Sequence, residues 1–232
     1  MYSFVIPCYN SSESIRHVVE LTMEEMEKMN RREFEFVLVN DYSSSTKTMP
    51  VLKKLAEEYP CVTVLNLAKN AGQHNAIMAG LNYAKGDILI GMDDDMQTHP
   101  SQLPYLFEEL EKGYDIVYGY YPEKKHSAFR NFGSWVNYIS VRILIGKPKE
   151  LKTSSYWVAR KFVRDSVIEY QAPYAYIQGL FLRTTRNISC IPIQHFQREE
   201  GESNYTFKRL LKLWSNIIGF SITPLRLTEY CG

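Results

Sequence analysis

Apolar and polar positions alternate between two patterns through the first half of the chain. Short, almost continuous apolar runs predict buried β-strands at Tyr2–Pro7, Phe34–Val39, Val62–Leu67, Ile88–Met92 and Asp115–Gly119. The segments between these runs carry apolar residues at helical spacing and predict helices at Glu13–Met29, Thr48–Tyr59, Gly72–Ala84 and Pro100–Lys112. Buried strands that alternate with crossover helices favour an α/β fold with a mostly parallel central sheet and helices on both faces.

The second half is less regular. Its patterns predict helices at Ser127–Ile145 and Lys161–Tyr170, and strands at Ser154–Ala159 and Ile188–His195. A last helix has an apolar stripe made of Phe207, Leu210, Leu211, Trp214, Ile217 and Ile218. Packing against the sheet would explain part of this stripe. Its basic neighbours, Lys208, Arg209, Lys212 and Arg226, are also typical of a helix that lies in a membrane interface.

Polar loops follow the five predicted strands of the first half. They read "PCYNSS", "NDYSSS", "AKNAGQ", "DDDMQTHP" and "YYPEKK". The carboxyl ends of parallel strands share one edge of the sheet, and ligands of such folds bind there. We therefore expect these five loops to form a single functional rim.

Three adjacent aspartates follow the fourth predicted strand. In an extended segment, Asp93 and Asp95 would point to the same side, where two carboxylates suit Mg²⁺ or Mn²⁺ clamped on a diphosphate. A plain solvated acidic loop is the alternative. A calcium loop of the EF-hand type would need Gly and Glu where Thr98 and Pro104 stand. A helical D-D-x-x-D motif would need an acid at Gln97.

Two further loops carry candidate nucleotide-binding residues. Asp41 could accept hydrogen bonds from a ribose or a base, or it could serve as a turn or helix cap, and the residues favour neither. Lys69, Asn70 and Gly72 precede a predicted helix, whose first amide groups favour anions. The sequence contains neither a P-loop nor a G-x-G-x-x-G motif.

Composition narrows the class of protein. The 232 residues are 45% hydrophobic and 23% charged, enough for one full core, and the net charge of +1 gives no reason to expect nucleic acid as a partner. The four cysteines are scattered without a C-x-x-C pair, which favours free thiols. No apolar run reaches the 18 residues of a membrane span.

Five motifs in this order resemble the family 2 glycosyltransferases of GT-A (nucleotide-diphospho-sugar transferase) fold. They read "VIPCYN", "VNDYSSS", "NAGQHNAIMAGL", "GDILIGMDDDMQTHP" and "REEGESNYTFKRLLKL". The resemblance is to the branch that loads sugars onto polyprenyl phosphate, such as dolichol-phosphate mannose synthases, bactoprenol glucosyltransferases and undecaprenyl-phosphate aminoarabinose transferases. It covers nearly the whole chain.

The resemblance implies a role for residues in each motif. The nucleotide would be held by Pro7, Tyr9, Asn10, Asp41, Lys69 and Asn70. Asp93 and Asp95 would form the metal-binding D-x-D motif for Mg²⁺ or Mn²⁺, with Gln97 near the sugar or diphosphate. Closure over the phosphates would involve Arg198, Gly201, Ser203 and Tyr205, and the acceptor phosphate would meet Lys124, Lys125, Arg130 and Ser134. Asp93, Asp95, Gln97 and Arg198 form the implied catalytic set.

The chain departs from the family pattern at three places. Ser11 stands where Glu usually follows P-x-Y-N. "GYYPEKK" lacks the basic residue that is common just after the fifth strand, and we expect Lys124 or Lys125 to substitute for it. Lys152 and Thr153 stand where an acid often precedes the "SSYWVAR" strand. The last two departures concern the donor sugar and acceptor contacts more than the reaction.

An acid is also absent from Tyr174–Phe181, where related subfamilies often carry a Glu-Asp pair. A hydroxyl acceptor needs such a base, whereas a phosphate with a second pKa near ~6 is already mostly ionised at neutral pH. The sequence therefore predicts an inverting transferase that moves a sugar from a UDP- or GDP-linked donor to polyprenyl phosphate. A transferase acting on a saccharide hydroxyl and a non-catalytic nucleotide-sugar binding subunit are the alternatives.

The resemblance also implies an organisation of the chain. Residues 1–204 would form the catalytic domain, and residues 205–232 an amphipathic juxtamembrane helix with the start of a membrane anchor that the family normally continues. We expect action at the cytoplasmic face of a membrane in cell-envelope glycan synthesis. The sugar and the oligomeric state, a homo-oligomer among the options, stay open.

Overall fold

The structure is a computed structural model, and it describes residues 1–122, 146–172 and 175–194. The strands are β1 (Tyr2–Cys8), β2 (Phe34–Asn40), β3 (Val62–Asn66), β4 (Ile88–Gly91), β5 (Ile116–Tyr120), β6 (Trp157–Arg160) and β7 (Ile188–Pro192). The helices are α1 (Ile15–Lys28), α2 (Thr48–Glu58), α3 (Gln73–Tyr83), α4 (Leu103–Glu111), α5 (Lys161–Val167) and α6 (Ile177–Thr184). A short 3₁₀ helix, Pro100–Gln102, precedes α4.

The described strands form a seven-stranded sheet in the order β3-β2-β1-β4-β6-β5-β7. All neighbouring pairs are parallel except those of β6, which runs antiparallel to β4 and β5. β1, β2 and β4 lie side by side, with Tyr2 opposite both Phe34 and Ile88. Their carboxyl ends therefore open onto the same rim.

Successive residues of each strand face opposite sides of the sheet and build two cores. Phe4 and Ile6 pack with α1, α2 and α4 on one face, whereas Val5 packs with α3, α5 and α6 on the other. Each of these three β1 side chains is fully buried. Helices thus cover both faces, as the apolar strand runs predict.

Close packing brings α3 against the middle of β1. A Cβ atom at Gly80 would lie 2.4 Å from a methyl carbon of Val5, so only glycine allows this approach. The position of the helix also places its first residues, Gln73 and His74, at the rim. The packing of α3 is therefore one of the features that shape the site.

The first five strands and four helices are confirmed with small shifts at their ends. The predicted strand Ser154–Ala159 is displaced, because the Ser154 hydroxyl bonds the Gly119 carbonyl at 2.7 Å and accepts from the Tyr156 amide at 3.0 Å. Because of this turn, β6 begins only at Trp157. Helix α6 was not predicted from the sequence.

Three predicted elements lie wholly or partly outside the described residues: the helix Ser127–Ile145, His195 at the end of the last strand, and the helix within 205–232. Within the described ranges, no helix has the length and hydropathy needed to cross a bilayer.

Candidate active site

Three residues in left-handed backbone conformations mark the loops at the rim. Asn10 follows β1 with φ 60°, Tyr42 follows β2 with φ 52°, and Met96 lies beyond β4 with φ 65°. Side chains other than glycine pay a steric cost in this region. Such conformations cluster where loops are shaped for function, and here they occur on three neighbouring loops.

Asp93 is the carboxylate that the surrounding structure fixes most fully. Gln73 at the start of α3 donates from Nε2 to Asp93 Oδ1 at 2.9 Å, and the Ser155 hydroxyl donates to Asp93 Oδ2. The Thr98 hydroxyl accepts from the Asp93 amide at 2.9 Å. Two distant parts of the chain therefore hold the carboxylate in a half-buried position at the rim, and Thr98 fixes the backbone of Asp93.

Burial raises the pKa of Asp93 from 3.8 to about 7, and the charges of Asp95 and Asp94 add to the rise, although the Ser155 and Gln73 hydrogen bonds oppose it. The three carboxylates are thus close enough to repel one another. A cation placed beside Asp93 would relieve this repulsion, because it favours the charged form.

Asp94 faces the scaffold. Its Oδ2 accepts from the Tyr9 amide at 3.2 Å, and its carbonyl accepts from the Ser14 hydroxyl. Burial is the main cause that raises the pKa of Asp94. These contacts join the loop after β4 to the loop after β1.

The chain bends after Asp93. β4 ends at Gly91, and residues 94–98 form a bend, so the extended geometry predicted for Asp93 and Asp95 is wrong. Asp95 Oδ1 instead accepts from the Gln97 amide at 3.1 Å. Tyr121, just beyond β5, donates its hydroxyl to the Gln97 carbonyl, and its pKa is raised by burial and then by Asp93 and Asp95. The bend still keeps both carboxylates near Tyr121.

Asp41 holds the loop in front of α3. Its two carboxylate oxygens accept from the amides of Ala71 at 2.6 Å and Gly72 at 2.9 Å, and its side chain is almost fully buried. Asn70 donates to the Asp41 carbonyl at 3.0 Å. Asp41 therefore fixes the loop that leads into α3, about 30 residues further along the chain, and Lys69 lies exposed on this loop.

The loop after β1 is tied to the loop after β2. The Asn10 side chain donates to the Ser44 hydroxyl at 3.0 Å and accepts from the Ser45 amide at 2.9 Å. Pro7 is half-buried within β1, whereas the Tyr9 side chain is exposed at the rim. Of these predicted nucleotide-binding residues, Asn10 thus braces the loops and Tyr9 is open to a ligand.

The start of α6 flanks the site on the side of α3. The His74 ring packs edge-on against Tyr176 with 5.1 Å between ring centroids, and burial lowers the pKa of His74 to about 4. Gln178 reaches the Ser154 carbonyl at 3.5 Å, next to Ser155. Tyr176 and Gln178 therefore contact the chain neighbours of the two residues that bond the Asp93 carboxylate, Gln73 and Ser155.

The residues present fit a shared cation site. Within residues 1–122, 146–172 and 175–194, no three His, Cys, Asp or Glu side chains are grouped as a metal centre. Mg²⁺ and similar ions often take only one or two protein carboxylates and complete their shell with substrate phosphates and water. Asp93 and Asp95, beside each other at an open rim, suit that mode.

Several predicted site residues lie outside the described part of the chain. They are Lys124, Lys125, Arg130 and Ser134 for the acceptor, and Arg198, Gly201, Ser203 and Tyr205 for closure.

Sequence reasoning missed the partners of Asp93. Gln73 lies 20 residues before it and Ser155 lies 62 residues after it, so no local motif joins them. The sequence indicates these two residues only by their positions: Gln73 begins the helix after the third strand, and Ser155 precedes a strand.

The sequence matches the family model described as "Glycosyl transferase family 2" over residues 3–171. Solved structures of glucosyl-3-phosphoglycerate synthase from Mycobacterium tuberculosis are similar in fold. The complex with phosphoglyceric acid has a TM-score of 0.67 and 16% identity, with 96% of this chain and 79% of that chain covered. The complex with Mn²⁺ and UDP-glucose has a TM-score of 0.65 and 16% identity, with 94% and 76% covered. The predicted GT-A fold is confirmed.

Proposed function

The chain belongs to glycosyl transferase family 2 and is a glycosyltransferase, and from this premise we propose that it transfers a sugar from a nucleotide diphosphate to polyprenyl phosphate. The observation that carries the proposal is the fixed position of the Asp93 carboxylate at the rim. Its two oxygens are fixed by Gln73 and Ser155 at the open end of β4, close to Asp95. A half-buried carboxylate with a raised pKa, beside a second carboxylate, suits a cation-bridged diphosphate.

A divalent cation, Mn²⁺ or Mg²⁺, would be held by Asp93 and Asp95. When bound, it would supply positive charge to the leaving diphosphate. The similar synthase structure contains Mn²⁺ and UDP-glucose, which supports a UDP-linked donor here. Asp94 and Asp41 would keep the surrounding loops in place through their backbone contacts.

The proposed reaction is a single displacement. An oxygen of the acceptor phosphate forms the new bond to the anomeric carbon, while the bond from that carbon to the donor diphosphate breaks. The nucleoside diphosphate leaves with the electron pair, and the configuration at the anomeric carbon is inverted. Phosphate brings its own negative charge, so the step needs no proton transfer from the nucleophile at neutral pH.

The chemistry of the flanking segment supports a phosphate acceptor. Tyr176 packs against His74, and Gln178 contacts the Ser154 carbonyl. Neither residue is a carboxylate, and α6 contains no Asp or Glu. The upstream acid Asp165 is exposed and paired with Arg164 at 2.7 Å. The described flank therefore offers no evident base for a hydroxyl.

A cation near the same flank gives independent support. Lys152 Nζ lies 4.4 Å from the centroid of the Tyr120 ring at the end of β5. Ser155, the partner of Asp93, is three residues further along the chain, so the Cα atoms of Lys152 and Ser155 are at most about 10 Å apart. A lysine here suits an anionic acceptor better than the acid that the family often has.

A hydroxyl acceptor is the second candidate. The observation that favours it is the fold likeness to a synthase solved with phosphoglyceric acid and with glucosyl-3-phosphoglycerate. In that case a base would have to come from another part of the chain.

We further propose that the protein works at the cytoplasmic face of a membrane, where polyprenyl phosphate is found. The apolar stripe and basic residues predicted within 205–232 would bring it to the lipid surface. Binding to vesicles with anionic lipids should then weaken when Lys208, Arg209 and Lys212 are replaced together by Gln.

The acceptor is tested by a matched pair of lipids. Radiolabelled UDP-glucose, and then GDP-mannose, is incubated with Mn²⁺, detergent and either polyprenyl phosphate or the corresponding polyprenol. Transfer to the phosphate alone is expected, and it should disappear in Asp93→Asn but persist in Asp87→Asn, an exposed change at the opposite end of β4. Transfer to the polyprenol or to phosphoglycerate, with none to the lipid phosphate, would overturn the proposal.

A further inference from the structure

Tyr42 combines two features that the transfer reaction alone does not explain. Its backbone adopts a left-handed conformation with φ 52°, and its side chain is 57% exposed. A bulky residue at positive φ is sterically disfavoured, and glycine would avoid the cost. Such an outlier is informative when it lies at a functional rim.

The position of Tyr42 relates it to the diphosphate site. It follows Asp41 at the end of β2, and β1 separates β2 from β4. Two strand spacings, about 10 Å, therefore lie between the Tyr42 loop and the Asp93 loop. Tyr9 lies on the intervening loop with 42% of its side chain exposed. A nucleotide whose diphosphate meets Asp93 can reach Tyr42 with its base.

The loop that carries Tyr42 is fixed from both sides. Asp41 is buried and bonds the amides of Ala71 and Gly72, whereas Ser43 donates its hydroxyl to Asn40 at 2.5 Å and accepts from the Asn10 amide at 3.1 Å. Among the described residues, the Tyr42 side chain makes no hydrogen bond, ion pair or ring contact. The backbone is thus held firmly while the ring stays open.

We propose that Tyr42 is the stacking platform for the nucleobase of the donor, an inference that rests on the proposed function. An exposed ring on a rigid backbone suits this task, because every base has a face that stacks on an aromatic side chain. Stacking uses the ring and does not require the hydroxyl. Tyr42 therefore contributes to the affinity for uridine and guanosine nucleotides alike.

The test separates stacking from backbone strain. Tyr42→Gly removes both the ring and the steric cost, and Tyr42→Phe keeps the ring. Asn30→Gly relieves a similar conformation, φ 56°, after α1, and Tyr105→Ala removes a ring from α4 that is equally exposed at 57%. The affinity for UDP and for GDP with Mn²⁺ is measured by calorimetry, and the melting temperature by circular dichroism.

Tyr42→Gly is expected to weaken nucleotide binding roughly tenfold while its melting temperature stays equal or rises. Tyr42→Phe and both control variants are expected to bind like the wild type. Wild-type affinity in Tyr42→Gly would overturn the stacking role and leave the proposed function intact. If the wild type binds neither nucleotide, the donor site itself fails, and the role of Tyr42 fails with it.

Discussion

Replacing Asp93 by Asn is expected to stabilise the ligand-free protein and to abolish sugar transfer. Burial and the neighbouring carboxylates raise the pKa of Asp93 to about 7, which means that the folded state disfavours its charged form. An amide carries no charge, and it can still bond Gln73 and Ser155, because the serine hydroxyl can donate or accept. The charged Asp93 carboxylate that would bind the cation therefore lowers the stability of the ligand-free protein.

The direction and the size of this stability change follow from the pKa shift of Asp93. The folded-state pKa lies above the unfolded value, so the folded protein binds the extra proton between pH 4 and 7, and its stability falls as the pH rises through that window. A shift from 3.8 to about 7 corresponds to about 4 kcal/mol. Because Asp93 keeps some contact with solvent, we expect roughly half, about 2 kcal/mol.

Thermal unfolding with a chelator present measures this effect. At pH 8, Asp93→Asn should melt about 4–8 °C above the wild type, and near pH 4 the difference should vanish. Asp87→Asn is the control, because its contact with the N-terminal amine at 3.0 Å lowers its pKa, and it should not stabilise. An Asp93→Asn variant that is no more stable than the wild type at pH 8 would refute the reasoning.

Three further changes test the surrounding scaffold. A Cβ at Gly91 would lie 2.2 Å from the Trp157 ring, so Gly91→Ala should cost about 1–3 kcal/mol in urea unfolding; wild-type stability would contradict this close packing. Asp41→Ala should cost about 1–3 kcal/mol by leaving two amides unpaired, and Asp41→Asn less; equal losses would argue against this role. Ser155→Ala should lower kcat about tenfold with a melting temperature within a few degrees of the wild type, because it frees one oxygen of Asp93; an unchanged kcat would remove Ser155 from the site.

Local patterns were enough to predict most of the sheet. The apolar runs of β1, β2, β4 and β5 are buried on both faces, so their composition alone marks them. The aspartates stand out because they directly follow one of these runs. The rim is a consequence of parallel pairing, so its five loops follow from the same pattern.

The remaining features depend on contacts between distant parts of the chain. β6 has four residues and inserts antiparallel between β4 and β5, a choice that no periodicity encodes. Asp41 resembles an ordinary cap in the sequence, but its partners, Ala71 and Gly72, lie about 30 residues away. The bend after Asp93 depends on Thr98 and Tyr121, so an extended geometry could not be assumed.

We propose that Asp93 and Asp95 bind a cation-bridged nucleotide diphosphate. Calorimetric titration of UDP and GDP, with and without Mn²⁺, tests it most directly in the wild type, Asp95→Ala and Asp87→Asn. Metal-dependent binding of one nucleotide by the wild type and by Asp87→Asn, lost in Asp95→Ala, is the expected result. Nucleotide binding that is unaffected by Mn²⁺ and by Asp95→Ala, or no binding at all, would contradict the claim.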